Sequence, residues 1–156
     1  KGETIAAIIH DPVLDDSALA LRGEGAWLAK ADGAARDLRV GPGRAPAQMN
    51  GMASWRYFPE PMRRPLLASF AAFDSVSTLR CCGQEYRLAA GGRCDFMLYG
   101  SLNAWDHAPG VLLHQEAGGW ARMLDGAPYR PGGGGLGLLC ANTQESWREA
   151  RALLAI

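Results

Sequence analysis

The carboxylate of Asp106 is the first candidate for chemistry. It stands in Trp105-Asp106-His107-Ala108-Pro109-Gly110, ahead of an apolar run that closes with Gln115-Glu116-Ala117-Gly118-Gly119. Pro109 has no N–H, and its ring disfavours a helix interior. The first helical N–H groups lack an intrahelical partner in any case. The proline therefore costs nothing if Asp106 is the N-cap or close to it. The spacing predicts a helix over 106–117, stopped by Gly118-Gly119. A carboxylate so placed sits at the positive end of the helix dipole. Two readings stay open on these residues alone: an ordinary N-cap worth about 1 kcal/mol, or a metal ligand fixed at a rigid helix start.

Other familiar chemistries do not assemble. Ser101 follows Gly100 but precedes Leu102, and no Gly-x-Ser-x-Gly turn occurs that would present a nucleophilic serine. His107 and His114 share a helix face with no zinc motif beside them, and read as surface or packing residues. Cys81, Cys82, Cys94 and Cys140 lack the two-residue gap of a zinc or redox pair, and His10, His107 and His114 complete no zinc pattern. Cys81 and Cys82 read as reduced core residues of an apolar strand, which suits a cytoplasmic protein. The glycines of 132–137 precede a strand rather than joining a strand to a helix, so they form a surface loop and not a dinucleotide fingerprint. That placement argues against a nucleotide-binding domain.

These residues need a scaffold, and the chain is able to build one. With 156 residues, 48% hydrophobic and 21% charged, it buries a core and is not a disordered tail. Sixteen Lys and Arg balance sixteen Asp and Glu. That balance leaves no overall field for a nucleic acid polymer or an anionic membrane. No apolar stretch is long enough for a membrane span. The start, Lys1-Gly2-Glu3-Thr4, does not read as a signal peptide.

The first third reads as antiparallel strands: 4–10, ended by Asp11-Pro12, then 18–21 and 26–28 around Gly23-Glu24-Gly25, then a short strand near Leu38 and Val40. The glycines and prolines of 41–51 mark a loop and a boundary between residues 1–51 and 52–156. Beyond it, strands alternate with helices. Strands are expected over 53–58, 76–82, 94–98, 120–124 and 136–140. Helices are expected over 61–73, with Leu66, Leu67, Phe70 and Phe73 on one face, over 84–90 between Gly83 and Gly91-Gly92, and over 143–154 with Asn142 or Thr143 as cap. Alternation on this scale argues for an α/β layer.

Taken in order, these segments resemble a known family. Trp105-Asp106-x-Ala-x-Gly followed by Glu116-Ala117-Gly118-Gly119 is similar to the C-terminal signature of the inositol monophosphatase family. Asp11-Pro12, Gly23-x-Gly25-Ala26, Arg80-x-x-Gly83, Ala89-Ala90-Gly91 and Cys140-Ala141-Asn142 agree in order and spacing. The resemblance implies an α/β fold of stacked helix and sheet layers, the layered sandwich of that family. It implies a Mg²⁺-dependent, lithium-sensitive phosphomonoesterase acting on a small inositol, sugar or nucleotide phosphate, and a homodimer. On this resemblance Asp106 is a metal ligand, Gly83, Gln84 and Glu85 lie at a helix start that contacts substrate, and Tyr99 stands where some members carry a substrate-binding acid.

The departures set further expectations. The family's Glu-Glu pair and its Asp-Pro-x-Asp-Gly-Thr motif, which supply most metal ligands and phosphate contacts, do not occur. The chain therefore reads as the C-terminal portion of such an enzyme and lacks the N-terminal part. By itself it is expected to have little or no phosphatase activity. Gln84 and Glu85 replace small residues, and Glu85 is expected to put negative charge near the substrate. The rival reading is a degenerate, non-catalytic binding or structural member of the same fold.

Overall fold

A computed structural model describes residues 2–156; Lys1 lies outside them. Four antiparallel strands come first: β1 (Ala6–Asp11), β2 (Asp16–Leu21), β3 (Gly25–Lys30) and β4 (Ala35–Asp37). They pair in chain order, with Ile8 opposite Leu19 and Leu19 opposite Trp27. The second sheet holds β5 (Asn50–Ser54), β6 (Ser75–Ser77), β7 (Phe96–Tyr99), β8 (Trp120–Met123) and β9 (Leu138–Ala141) in the order β6-β5-β7-β9-β8. The β5–β6 and β5–β7 pairs are parallel, and β9 runs antiparallel to both β7 and β8. The helices are α1 (Glu60–Ser69), α2 (Cys82–Ala90), α3 (Ala104–Glu116) and α4 (Gln144–Leu153).

Period-two alternation in β7 explains the layering. Phe96 and Leu98 face one way, into a core with Leu66 of α1 and Ala150 of α4. Met97 and Tyr99 face the other way, against Tyr86 and Ala89 of α2 and Val111 of α3. The far side of the α2–α3 layer meets the first sheet through Ala90, Leu112 and Leu113. The first sheet answers with small side chains, Ala7, Ala18, Ala20 and Ala26, so the helices lie close to the strands. The order is helix, sheet, helix, sheet, the α/β sandwich that the resemblance implies. Among the described residues no helix is long and apolar enough to cross a membrane.

Several elements depart from the sequence reading. Residues 53–58 are not one strand: β5 stops at Ser54, and Trp55–Tyr57 form a 3₁₀ turn. The strand expected over 76–82 shrinks to Ser75–Ser77 at the sheet edge. Cys81 is consequently exposed and Cys82 opens α2, so this pair is not in the core. The expected helix 61–73 ends its α portion at Ser69, and Leu67 points to solvent while Leu66 is buried. Leu38 and Val40 lie beyond β4, their N–H groups donating to the carbonyls of Ala26 and Ala117.

The helix at Asp106 also begins earlier than its proline suggests. Asn103 is the N-cap, so Asp106 falls at the third helical position and Pro109 lies inside the helix. The proline removes the bond that residue 109 would make to the Trp105 carbonyl. Packing against α2 and the first sheet outweighs that loss. Gly110 is one reason, because a Cβ there would overlap the Tyr86 ring.

Candidate functional site

A cavity of about 1040 Å³ opens where the N-terminal ends of α2 and α3 meet the carboxyl ends of β5 and β7, with Ile8 and Ile9 of β1 on a third side. Parallel strands leave such a crevice at their carboxyl ends. Helix N-termini favour anions there, through free N–H groups and the helix dipole.

Asp106 stands half-buried on this wall and is its one acidic residue. Its Oδ2 accepts from Asn103 Nδ2 at 3.2 Å, and its carbonyl accepts from the Cys82 thiol at 3.4 Å. Burial, with the Asp106 carboxylate adding to it, pushes Cys82 up to about 11, so it remains a neutral donor. His107, the next residue, is buried, and burial holds it below the usual histidine range. Its neutral ring is therefore fixed in one tautomer by its partners: Nε2–H donates to the Ser101 carbonyl at 2.8 Å, and Nδ1 accepts from the Tyr86 hydroxyl at 3.1 Å. Tyr99 lies 4.6 Å from the His107 ring, centroid to centroid. Burial keeps its phenol protonated well above the ordinary value, reinforced by Tyr86 and Glu85.

The structure divides the residues singled out from sequence. Asp106, Gly83 and Tyr99 line the cavity together. Gln84 and Glu85 do not. Gln84 Nε2 donates to Asp11 Oδ2 at 2.7 Å, tying α2 to the β1–β2 turn. Glu85 turns inward, and its Oε1 accepts from the Leu79 N–H at 2.8 Å and the Thr78 hydroxyl at 3.1 Å. There it fastens the loop that carries Arg80, a residue whose backbone adopts the left-handed conformation with φ of 56°. Sequence reasoning missed the polar and aromatic rim: Trp55, Arg56, Tyr57, Arg80 and Trp105. Arg56 lies over the Trp55 ring, 4.8 Å from its centroid. The signal for this rim was an aromatic and basic run directly after a strand, hidden by reading 53–58 as one strand.

Two sequence motifs meet away from the cavity. The Glu116 carboxylate accepts from the N–H groups of Gly23 and Gly25, each at 3.0 Å. The Glu-Ala-Gly-Gly segment thus clamps the Gly-x-Gly turn of the first sheet. Gly119 admits the His114 ring, whose Nε2–H donates to the Ala141 carbonyl at 3.0 Å.

The model of the inositol monophosphatase family matches residues 1–155. The chain belongs to this family. It is 31% identical to an inositol-1-monophosphatase of Rhizobium meliloti (strain 1021) over 130 residues, which take in 81% of this chain and 47% of that protein. An inositol-1-monophosphatase of Mesorhizobium japonicum gives 28% over 132 residues, 81% of this chain and 47% of that one. The chain spans about half the length of these curated relatives. Among solved structures, an inositol monophosphatase from Zymomonas mobilis matches with a TM-score of 0.86 at 16% identity, covering 99% of this chain and 59% of that one. The staphylococcal IMPase-II matches at 0.80 and 20% identity, covering 96% and 56%. At such identities these structures speak to the fold.

The family is generally metal-dependent. No group of three or more His, Cys, Asp or Glu side chains comes together among the described residues to hold an ion. Mg²⁺ requires octahedral oxygen ligands, commonly one or two carboxylates with waters and substrate phosphate, and a multi-metal centre needs more. Asp106 offers one carboxylate to the cavity. The described residues of this inositol monophosphatase family chain do not fit a self-sufficient Mg²⁺ centre.

Proposed function

We propose that this chain is the C-terminal part of a Mg²⁺-dependent phosphomonoesterase, with the cavity as its share of the active site. The observation that carries the reading is the Asp106 carboxylate at the start of α3, standing alone on the wall of a large cavity beneath two helix N-termini. In this reading Asp106 is one metal ligand. Gly83 keeps the start of α2 open to the substrate, Tyr99 forms an apolar wall with a protonated hydroxyl, and Arg56 and Arg80 attract the anionic ester from the rim. Glu85 places no charge against the substrate, because its carboxylate is spent on Leu79 and Thr78.

The substrate class is a small phosphomonoester of an inositol, a sugar or a nucleotide. Related structures support that breadth: SaIMPase-II is solved with inositol monophosphate bound and with 2'AMP bound. We place the enzyme in the cytoplasm, where its four free cysteines suit a reducing environment. A homodimer would cover part of its exposed apolar surface, such as Ile5 and Ile8 on and beside edge strand β1.

One observation favours a second reading. A lone carboxylate on the wall also fits a non-catalytic binding or structural member of the fold. Asp106→Asn in a polypeptide extended to the length of the relatives separates the two. A loss of about 100-fold or more in Mg²⁺-dependent phosphate release, with folding unchanged, is expected if the carboxylate holds a catalytic metal. Unchanged activity with unchanged Mg²⁺ dependence refutes that role, and absence of turnover in the extended parent favours the non-catalytic reading.

A further inference from the structure

A second, smaller cavity of about 230 Å³ lies beside the C-terminal half of α3, where Leu112 and Gln115 form part of its wall. Three arginines line it, Arg22, Arg122 and Arg130. Two of them are held in place by the backbone. Arg22 donates from Nε and Nη2 to the Thr4 carbonyl, at 3.0 and 2.8 Å. Arg122 donates from Nη1 to the Ala121 carbonyl at 2.8 Å and lies over the Trp120 ring, 4.2 Å from its centroid.

None of the three forms an ion pair among the described residues, although Glu3 shares the wall. Arg39, Arg44, Arg63 and Arg87 all do. Three cations around one small pocket whose wall holds the single carboxylate of Glu3 leave it net positive, which favours an entering anion. Guanidinium forks match the oxygens of a phosphate or carboxylate, and pre-positioned side chains lose less entropy on binding. The volume is below the roughly 300–1,000 Å³ typical of pockets for organic ligands. The ligand is therefore a small oxyanion, and the N–H groups that the three arginines have left after their backbone bonds suit a tetrahedral dianion better than a planar monoanion.

We propose that this pocket binds a phosphate group at a site separate from the Asp106 cavity. Asp106 and Gln115 lie on the same helix, roughly 13 Å apart along its axis. The proposal does not depend on the chain's belonging to an active phosphatase.

The test is titration of the ¹⁵N-labelled chain with inorganic phosphate at constant ionic strength, followed by amide and indole chemical shifts. Saturable shifts are expected at Gln115, Tyr129, Arg130 and the Trp120 indole. Arg130→Gln alters an exposed side chain and should weaken binding at least about fivefold, and Arg122→Gln with Arg130→Gln should abolish it. Arg122→Lys retains the charge and should bind with intermediate affinity, which separates loss of the site from loss of the fold. Asp106→Asn and Arg56→Gln should leave these shifts in place. Glycerol phosphate distinguishes the source: an equal response assigns the pocket to phosphate groups at large, and a response to inorganic phosphate alone assigns it to the free ion. No saturable response, an equal response to acetate, or binding that survives the double variant overturns the proposal.

Discussion

On the flank of α2 that faces the first sheet, Arg87 lies between Asp16 and Asp11, with all three side chains at least nine-tenths buried. Its Nη2 is hydrogen-bonded to Asp16, its Nη1 donates to the Ile9 carbonyl, and Gln84 donates to Oδ2 of Asp11, the oxygen that Arg87 also faces. At the opposite end of the same helix the picture reverses. Arg56 and Arg80 face the large cavity with no carboxylate partner among the described residues, and Asp106 stands there with only an amide on its outer oxygen. Charges that hold layers together are paired and withdrawn from water. The charges on the wall of the large cavity are left unspent. The same sorting separates neighbouring residues: Glu85 is consumed by structure and Gly83 is left to the cavity.

The sharpest way to break the structural side is Arg87→Met. It strands Asp16 in a buried position and is expected to cost about 3–5 kcal/mol, the usual result of removing one partner of a buried pair. Chemical denaturation reads it out. The hydrogen bonds of Asp11 to Gln84, Leu14 and Val13 hold its carboxyl below the usual range. Its stabilising contribution is therefore complete above its unfolded value near 3.8 and lost as pH falls through the lower folded value.

A pH titration of stability sharpens the comparison further. Burial holds His114 at about 4 against an ordinary 6.5. The unfolded chain takes up the proton first, so stability is full above pH 6.5 and declines as pH drops toward 4. The decline attributable to this ring is about 3 kcal/mol. His114→Gln should flatten that part of the pH profile of unfolding free energy, and an unaltered slope contradicts the assignment.

Smaller effects are expected where glycines and turns make the contact. Gly110→Ala drives a methyl group into Tyr86, the partner of His107, and should cost about 1–3 kcal/mol, visible as a lowered melting temperature. Glu116→Gln retains one acceptor for two N–H groups and should cost about 1 kcal/mol, with faster amide exchange at Gly23 and Gly25. Glu116→Gln does not touch the cavity wall and should not alter what binds there.

Much of this layout was legible in the sequence, and the failures have physical causes. The apolar run that ends 94–98 and helix punctuation by Gly91-Gly92 and Gly118-Gly119 located β7, α2 and α3 to within a few residues. The hairpin at Gly23-Glu24-Gly25 was equally plain. Pro109 misled the start of α3, because tertiary packing tolerates a proline that isolated helix rules would place in the first turn. Gln84 and Glu85 misled the site, because helix position does not say which face meets the cavity. Their partners, Asp11 and Thr78, lie far along the chain or in an irregular loop. The Glu116 clamp was invisible for the same reason: both motifs were recognisable, but only the fold brings residues 116 and 23 together.

In the proposed reading Asp106 is a single metal ligand that this chain brings to the cavity, short of a complete centre. The most direct measurement is phosphate release by the 156-residue chain alone, with Mg²⁺ and inositol 1-phosphate, a sugar phosphate and 2'-AMP as substrates. No turnover above that of the Asp106→Asn variant is expected. Appreciable Mg²⁺-dependent hydrolysis, abolished by Asp106→Asn, would contradict it.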